Sequence, residues 1–294
     1  MSIAPPLGGP ARRRYGLRWA AVELGSAVLG LVLLIWSLLP LYNLFLIALD
    51  PEEGEIEFDG NLWPPSPSLN AFRDVVTEKA RYLEHFWRLF GNSLYIGLAT
   101  MVLTVLVGSL ASFAVNRLRF GKGSLLIGTA LVTYAIPASF VIVPFYRMMH
   151  DYGLLNNPWA VIAAQVTFAT PFAILLLQLY GKLIPLEFDD AARLDGASAL
   201  QLYLRIYLPL MTPALAVVGF YALLLAWNDY LYQATMLSVH NMTVSVTQGN
   251  LFVDIDAPWN SMMAAAIIYV LPPIVLLFAV RRYVVASLTM GMRR

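Results

Sequence analysis

Residues 182–210 read KLIPLEFDDAARLDGASALQLYLRIYLPL, a polar stretch set between two long apolar runs, 159–181 before it and 211–228 after it. Its composition is that of two short helices rather than a slack connector. Pro185 suits the start of a helix, and Glu187, Asp189 and Asp190 fall in the first turns, where the helix dipole favours negative charge. Gly196 can adopt the left-handed backbone that stops a helix. Ser198 opens a second helix, with Gln201 three residues on completing a capping box. Leu208-Pro209 is expected to end that second helix, and Thr212-Pro213 to start the next apolar run. Ala191, Ala192, Leu194 and Ala197 would give the pair a small, flat, mildly apolar surface that another protein can approach closely.

The apolar runs on either side are two of six, at 24–49, 92–115, 124–146, 159–181, 211–228 and 261–280, and none contains Asp, Glu, Lys or Arg. Each has the roughly 20 residues that a helix needs to cross about 30 Å of hydrocarbon. The fifth is expected to continue past Asp229 to about residue 236. A chain of 294 residues that is 59% hydrophobic and only 13% charged has more apolar surface than one soluble core can bury. The fold class expected is therefore all-α, a polytopic membrane protein with six transmembrane helices and membrane lipid as its solvent. The first run is too long for a signal-peptide core and lacks a small-residue cleavage site after it, so it is expected to be retained.

Six crossings put both termini on one side. That side holds 14 of the 19 Lys and Arg residues, against Arg73, Lys79, Arg81, Arg88 and Arg147 opposite, so the positive-inside rule places the termini and the 182–210 loop in the cytoplasm. The organisation that follows is a tail at 1–23, a first span at 24–49 and an external loop at 50–91 with a short amphipathic helix at 69–90. A transmembrane domain at 92–291 comes next, with an external loop at 237–260 inside it and a cytoplasmic tail from 281 to 294. The first external loop is acidic, with Asp50, Glu52, Glu53, Glu55, Glu57 and Asp59. Prolines 40, 137, 144, 171, 272 and 273 lie inside spans, where the hydrogen bonds they remove cannot be replaced by hydrocarbon, so those helices should pack on protein or line a wet cavity.

Several chemistries are excluded. No cysteine is present, and His85, His150 and His240 lie far apart, which argues against thiol chemistry, disulfides and a metal site. Gly121-Lys122 is followed by Gly123 and Gly181-Lys182 by Leu183, so no phosphate-cradling loop of the Gly-Lys-Ser/Thr kind exists. A secondary transporter would carry several coupling carboxylates near the midplane, and only Asp229 is available. The net charge of +1 gives no reason to expect nucleic acid as a partner, and no cofactor is implied.

Asp190-Ala191-Ala192, three residues, Gly196, nine residues, Ile206, one residue, then Leu208-Pro209 resembles the Glu-Ala-Ala loop of ATP-binding-cassette (ABC) importer permeases, with Asp190 where that family has Glu and Glu187 one turn upstream. Asn92-Ser93, Arg117 with Phe120, Tyr152-Gly153-Leu154 with Asn156, Trp227-Asn228-Asp229 and Leu288-Thr289-Met290-Gly291 are similar to the smaller permease of carbohydrate importers of the maltose type. Ser287 and the ending Met292-Arg293-Arg294 depart from that pattern. The resemblance implies a type I permease fold and a subunit that hydrolyses no ATP itself. It also implies a second permease subunit, two ATPase subunits, a periplasmic solute-binding protein, and a sugar or related polar solute as cargo. Glu187, Asp190, Ala191, Ala192, Asp195, Gly196, Ile206, Leu208 and Pro209 would then couple the chain to the ATPase. In the fifth span, Tyr221, Trp227, Asn228 and Asp229 are candidates for the solute pathway, or else a packing and hydrogen-bonding cluster near the outer interface.

Overall fold

The computed structural model describes residues 17–51, 62–118, 123–252, 254 and 256–290. The acids Glu52 to Asp59, the arginines at 12–14, Arg119, Phe120, Lys122 and residues 291–294 lie outside the described residues. The described residues form helices throughout: α1 (Leu17–Ala48), α2 (Asn70–Val76), α3 (Phe86–Arg117), α4 (Gly123–Tyr134), α5 (Ala138–Asp151), α6 (Pro158–Gly181), α7 (Glu187–Leu194) and α8 (Ala199–Leu202). A π-turn follows at Tyr203–Tyr207, then α9 (Leu208–Trp227), α10 (Leu231–Met236), α11 (Val244–Leu251) and α12 (Trp259–Met290).

Among the described residues, five helical stretches are long and apolar enough to cross a membrane: Ala21–Ala48, Phe86–Arg117, Pro158–Gly181, Ala199–Trp227 and Trp259–Tyr283. The run expected as a single span at 124–146 is instead divided between α4 and α5. Pro137 holds an extended backbone at φ −60°, ψ 131°, as proline and the residue before it favour, and so caps α5 rather than continuing α4. The fifth span is likewise interrupted, between Trp227 and Leu231. The external helix expected at 69–90 is only α2, because Glu78 and Tyr82 take positive φ and turn the chain before α3 begins at Phe86. The Trp87 indole donates to the Val76 carbonyl at 2.9 Å, pinning that turn. At its far end α12 runs on through Arg281 and Arg282 to Met290, where a tail was expected.

Helix α3 is the centre of the bundle, packed on α6 and α9, with α12 on the other side of α9 and α1 against α12. One face of α3 carries Gly97, Thr100, Thr104, Gly108 and Ser112, all buried. Small side chains let helix backbones approach where lipid gives no hydrophobic drive for association. A Cβ at Gly108 would lie 3.0 Å from the Ala173 Cβ of α6, and one at Gly97 would lie 3.3 Å from the Trp227 ring of α9. By contrast α1 is exposed over most of its length, with Trp36 79% accessible, as befits a helix bathed in lipid.

Gly108→Leu should push α3 away from α6 and cost about 1–3 kcal/mol as an overpacked contact. The expected readout is a lower thermal midpoint for the detergent-solubilised protein. Gly30→Ala should leave that midpoint unchanged, since a Cβ there meets nothing within 4 Å.

Candidate functional site

The 182–210 loop folds largely as its residues dictate. Gly196 sits at φ +82° and ends α7, and Ser198 with Gln201 forms the capping box at the start of α8. The break expected at Leu208-Pro209 does not occur. Instead α8, the π-turn and α9 run on without interruption from Ala199 to Trp227. The π-turn lies immediately before Pro209, and its wider winding lets the helix pass a residue that lacks an N–H donor.

Helix α7 presents two unlike faces. Outward, Glu187, Asp190, Ala191 and Leu194 are exposed, and Leu194 is 89% accessible. Inward, Asp189 is buried at 4% exposure. Its Oδ2 lies 3.3 Å from Nε of Arg117, the last residue of α3, and both side chains are almost wholly enclosed. Arg117 also donates from Nη2 to the Ile184 carbonyl at 3.0 Å, and its own carbonyl accepts from Arg193 Nη2 at 3.3 Å. Burial raises the Asp189 carboxyl above its ordinary value, Arg117 and Arg193 pull it back, and the Asp190 charge raises it further. Asp189 had been assigned to the helix dipole alone, and Arg117 only to the count of positive charges and the family pattern. Their pairing spans 72 residues and leaves no local signal in either segment.

The π-turn completes this base. Tyr203 and Tyr207 both lie on α3, hydrogen-bonded by their hydroxyls to Ser109 at 2.7 Å and Ser112 at 2.8 Å, with the Phe113 ring 5.2 Å from each. Asn116 donates to the Gln178 carbonyl of α6 at 3.3 Å. Above this base, a notch of about 310 Å³ is lined by Ala192, Asp195, Gly196, Ala197, Gln201, Arg205 and Ile206, so the two ends of the motif meet in space. Leu208 is half-buried and Pro209 exposed, and neither lines the notch.

A second feature lies where the third and fifth spans are both interrupted. A cavity of about 640 Å³ is lined by Ile136, Pro137, Ala138, Gln165, Phe168, Tyr221, Leu224, Leu225, Asn228, Asp229 and Tyr232. Of the four pathway candidates, Tyr221, Asn228 and Asp229 line it. Trp227 does not: it is buried, stacked on Tyr269 with ring centroids 4.6 Å apart. Asp229 has a structural role as well, accepting from the Gln233 backbone N–H at 3.1 Å at the start of α10. The Tyr232 hydroxyl donates to the Ala138 carbonyl at 2.7 Å and ties the two interruptions together. Gln165, Phe168 and Tyr232 were not singled out from sequence, because only the tertiary fold sets α6 and the α4–α5 break beside α9.

Other residues of the resemblance act as clamps at the end of the bundle opposite α7. Asn92 donates to the Met242 carbonyl at 2.9 Å, and Ser93 accepts from the Val244 N–H at 3.2 Å. Asn156, at φ +58°, accepts from the Ser238 N–H at 2.9 Å. Among the described residues no group of three His, Asp or Glu is placed to hold a metal ion.

Membrane-length helices around a central helix, closed at one end by a built polar loop, define the membrane-embedded subunit of a transporter. Residues 104–290 match the family of binding-protein-dependent transport system inner membrane components, and the chain belongs to that family, as an ABC transporter permease. It is 31% identical over 260 residues to the inner membrane ABC transporter permease protein YcjP of Escherichia coli, covering 88% of this chain and 91% of that one. It is also 31% identical over 268 residues to the trehalose transport system permease protein SugB of Mycobacterium tuberculosis, covering 90% and 95%. A crystal structure of a bacterial ABC transporter involved in the import of the acidic polysaccharide alginate contains a chain of the same fold. Its TM-score is 0.77 at 22% identity, over 92% of this chain and 99% of that chain.

Gly181→Ala tests the packing of the base, because a Cβ there would run into the Asn116 amide and the Tyr207 hydroxyl. A drop in stability of about 1–3 kcal/mol is expected, measured as a shift in denaturation midpoint.

Proposed function

We propose that this chain is one of two permease subunits in an ATP-driven importer that moves a sugar or related polar solute from a periplasmic binding protein into the cytoplasm by alternating access. Its termini and the α7–α8 loop face the cytoplasm, a reading supported by the excess of Lys and Arg on that side. One of two separate ATPase subunits grips the loop through Glu187, Asp190, Ala191, Ala192, Asp195 and Gly196, with Ile206, Leu208 and Pro209 at its far edge. Closure of the ATPase pair then swings the attached spans.

The observation that carries this reading is the outward face of α7. A helix that buries an aspartate and leaves a leucine 89% exposed is turned the wrong way for water. A protein covering Leu194 and Ala191 would remove that exposed apolar surface, while Asp190 and Asp195 offer carboxylates for basic side chains on the same partner.

For the cargo, the cavity between the α4–α5 break and the α9–α10 break supplies aromatic faces from Phe168, Tyr221 and Tyr232, with amides from Gln165 and Asn228. Aromatic faces take up sugar C–H groups and amides their hydroxyls. The mycobacterial relative, a trehalose permease, points to the same class of solute. Tyr221, Asn228 and Asp229 form this chain's share of the pathway wall, and Trp227 packs behind it against Tyr269.

Gly196→Asp puts a Cβ on a backbone at φ +82°, and Asp190→Lys reverses a charge on the gripped face. Both should abolish solute uptake and release the ATPase from the purified complex while membrane insertion stays normal. Retention of ATPase and uptake in both variants would remove the docking role. The chain purified alone should hydrolyse no ATP in a phosphate-release assay, since nothing in it resembles a nucleotide-binding loop.

A further inference from the structure

We infer that Arg117 and Asp189 form a buried strut that makes the coupling helix α7 and the central helix α3 one rigid lever, so that force on the loop reaches the translocation pathway. The inference rests on the docking reading above and adds the element that transmits the movement.

A loop between two spans can be gripped firmly and still transmit little, if it flexes where it joins the bundle. Here the loop is joined at a side chain. Arg117 is the last residue of α3, and its guanidinium reaches three separate segments: the Ile184 carbonyl before α7, the Asp189 carboxylate on α7, and the ring of Tyr207 in the π-turn, 5.7 Å from the ring centroid. Arg193, one turn on from Asp189 and itself exposed, donates back to the Arg117 carbonyl. The ion pair is enclosed, at 2% and 5% side-chain exposure, and neither Arg117 Nε nor Asp189 Oδ2 has a hydrogen-bond partner among the described residues. The two charged atoms therefore depend on each other.

Such a pair is a poor source of stability, because both charges are taken out of water, but it strongly favours one arrangement. If α7 rotates or tilts on α3, a lone charge is left in the base. Above the strut, α3 lies against α9 along Gly97 and Gly219, and α9 carries Tyr221 to the cavity wall. Displacement of α7 would thus move α3, and α3 would move the pathway helix beside it. Both residues act as positioning residues and touch neither solute nor nucleotide.

The test uses the whole transporter, purified through a tag on this chain and reconstituted in liposomes with its binding protein. Uptake of trehalose, with maltose as a second probe, and ATP hydrolysis are measured on equal amounts of assembled complex. Asp189→Asn and Arg117→Gln should each retain the ATPase but raise the ATP consumed per solute imported by about tenfold, as expected when one partner of a contacting pair is lost. Asp189→Glu, which keeps the charge, should restore most of the coupling. A double variant, Asp189→Asn with Arg117→Gln, should be no worse than either single change, because no lone charge remains. An unchanged ratio in Asp189→Asn with the ATPase bound would overturn the strut alone. Loss of the ATPase from both single variants would also overturn it, assigning the pair to docking or folding. Absence of an ATPase from the unmodified complex would overturn the docking reading beneath it.

Discussion

A backbone crossing hydrocarbon has nowhere to send an unpaired N–H or C=O, and each departure from α-helix inside the bundle therefore has to be compensated by protein. Where the fifth span is interrupted, the Gln233 amide donates to the Ala226 carbonyl at 2.7 Å, and Asp229 accepts from the start of α10. At the interruption of the third span, the Ala138 carbonyl accepts from the Tyr232 hydroxyl. The two breaks are tied to each other through that contact, and the space they leave is the cavity lined by Tyr221, Asn228 and Asp229. Non-helical backbone at that position is the cost of having a polar wall within an apolar bundle.

The opposite end of the molecule follows a different logic. There α8, the π-turn and α9 run on as one, and the interior is filled by Tyr203, Tyr207, Phe113 and the Arg117–Asp189 pair. Polar groups on α3 meet partners from α6, α7 and the π-turn, so one helix ties these three segments together. The arrangement suits a part that must move without changing shape. A cavity with open walls at one end and a rigid base at the other is the division of labour that alternating access asks of a permease.

Much of this was legible in the residues themselves because it is local. Five of the six apolar runs, the capping box of Ser198 and Gln201, and the left-handed stop at Gly196 depend on neighbours within a few positions and are present among the described residues. What escaped depends on distance or on competition between local rules. Pro137 is one of several prolines marked inside apolar runs, and nothing local separates it, which divides its run into α4 and α5, from Pro40 and Pro171, which their helices carry unbroken. Pro209 had the mark of a helix end, yet the π-turn before it absorbs the missing donor. Trp227 and Asp229 are neighbours in sequence, but the end of α9 at Trp227 sends one ring into the core and leaves the carboxylate at the cavity. The Arg117–Asp189 pair is the clearest case. First-turn acids are so common on helices that nothing distinguishes the one that turns inward until the third helix is placed beside it.

The π-turn at Tyr203–Tyr207 winds one residue more into its turn than an α-helix would. Because each residue of an α-helix accounts for about 100° of rotation, that surplus sets the bearing of α7 and α8 about the axis of α9. Loss or gain of one amino acid there would re-aim α7 and α8 together while every span kept its length and its lipid-facing surface. The seam between span and loop is thus an indexing point, at which a single residue decides the bearing of the exposed face of α7.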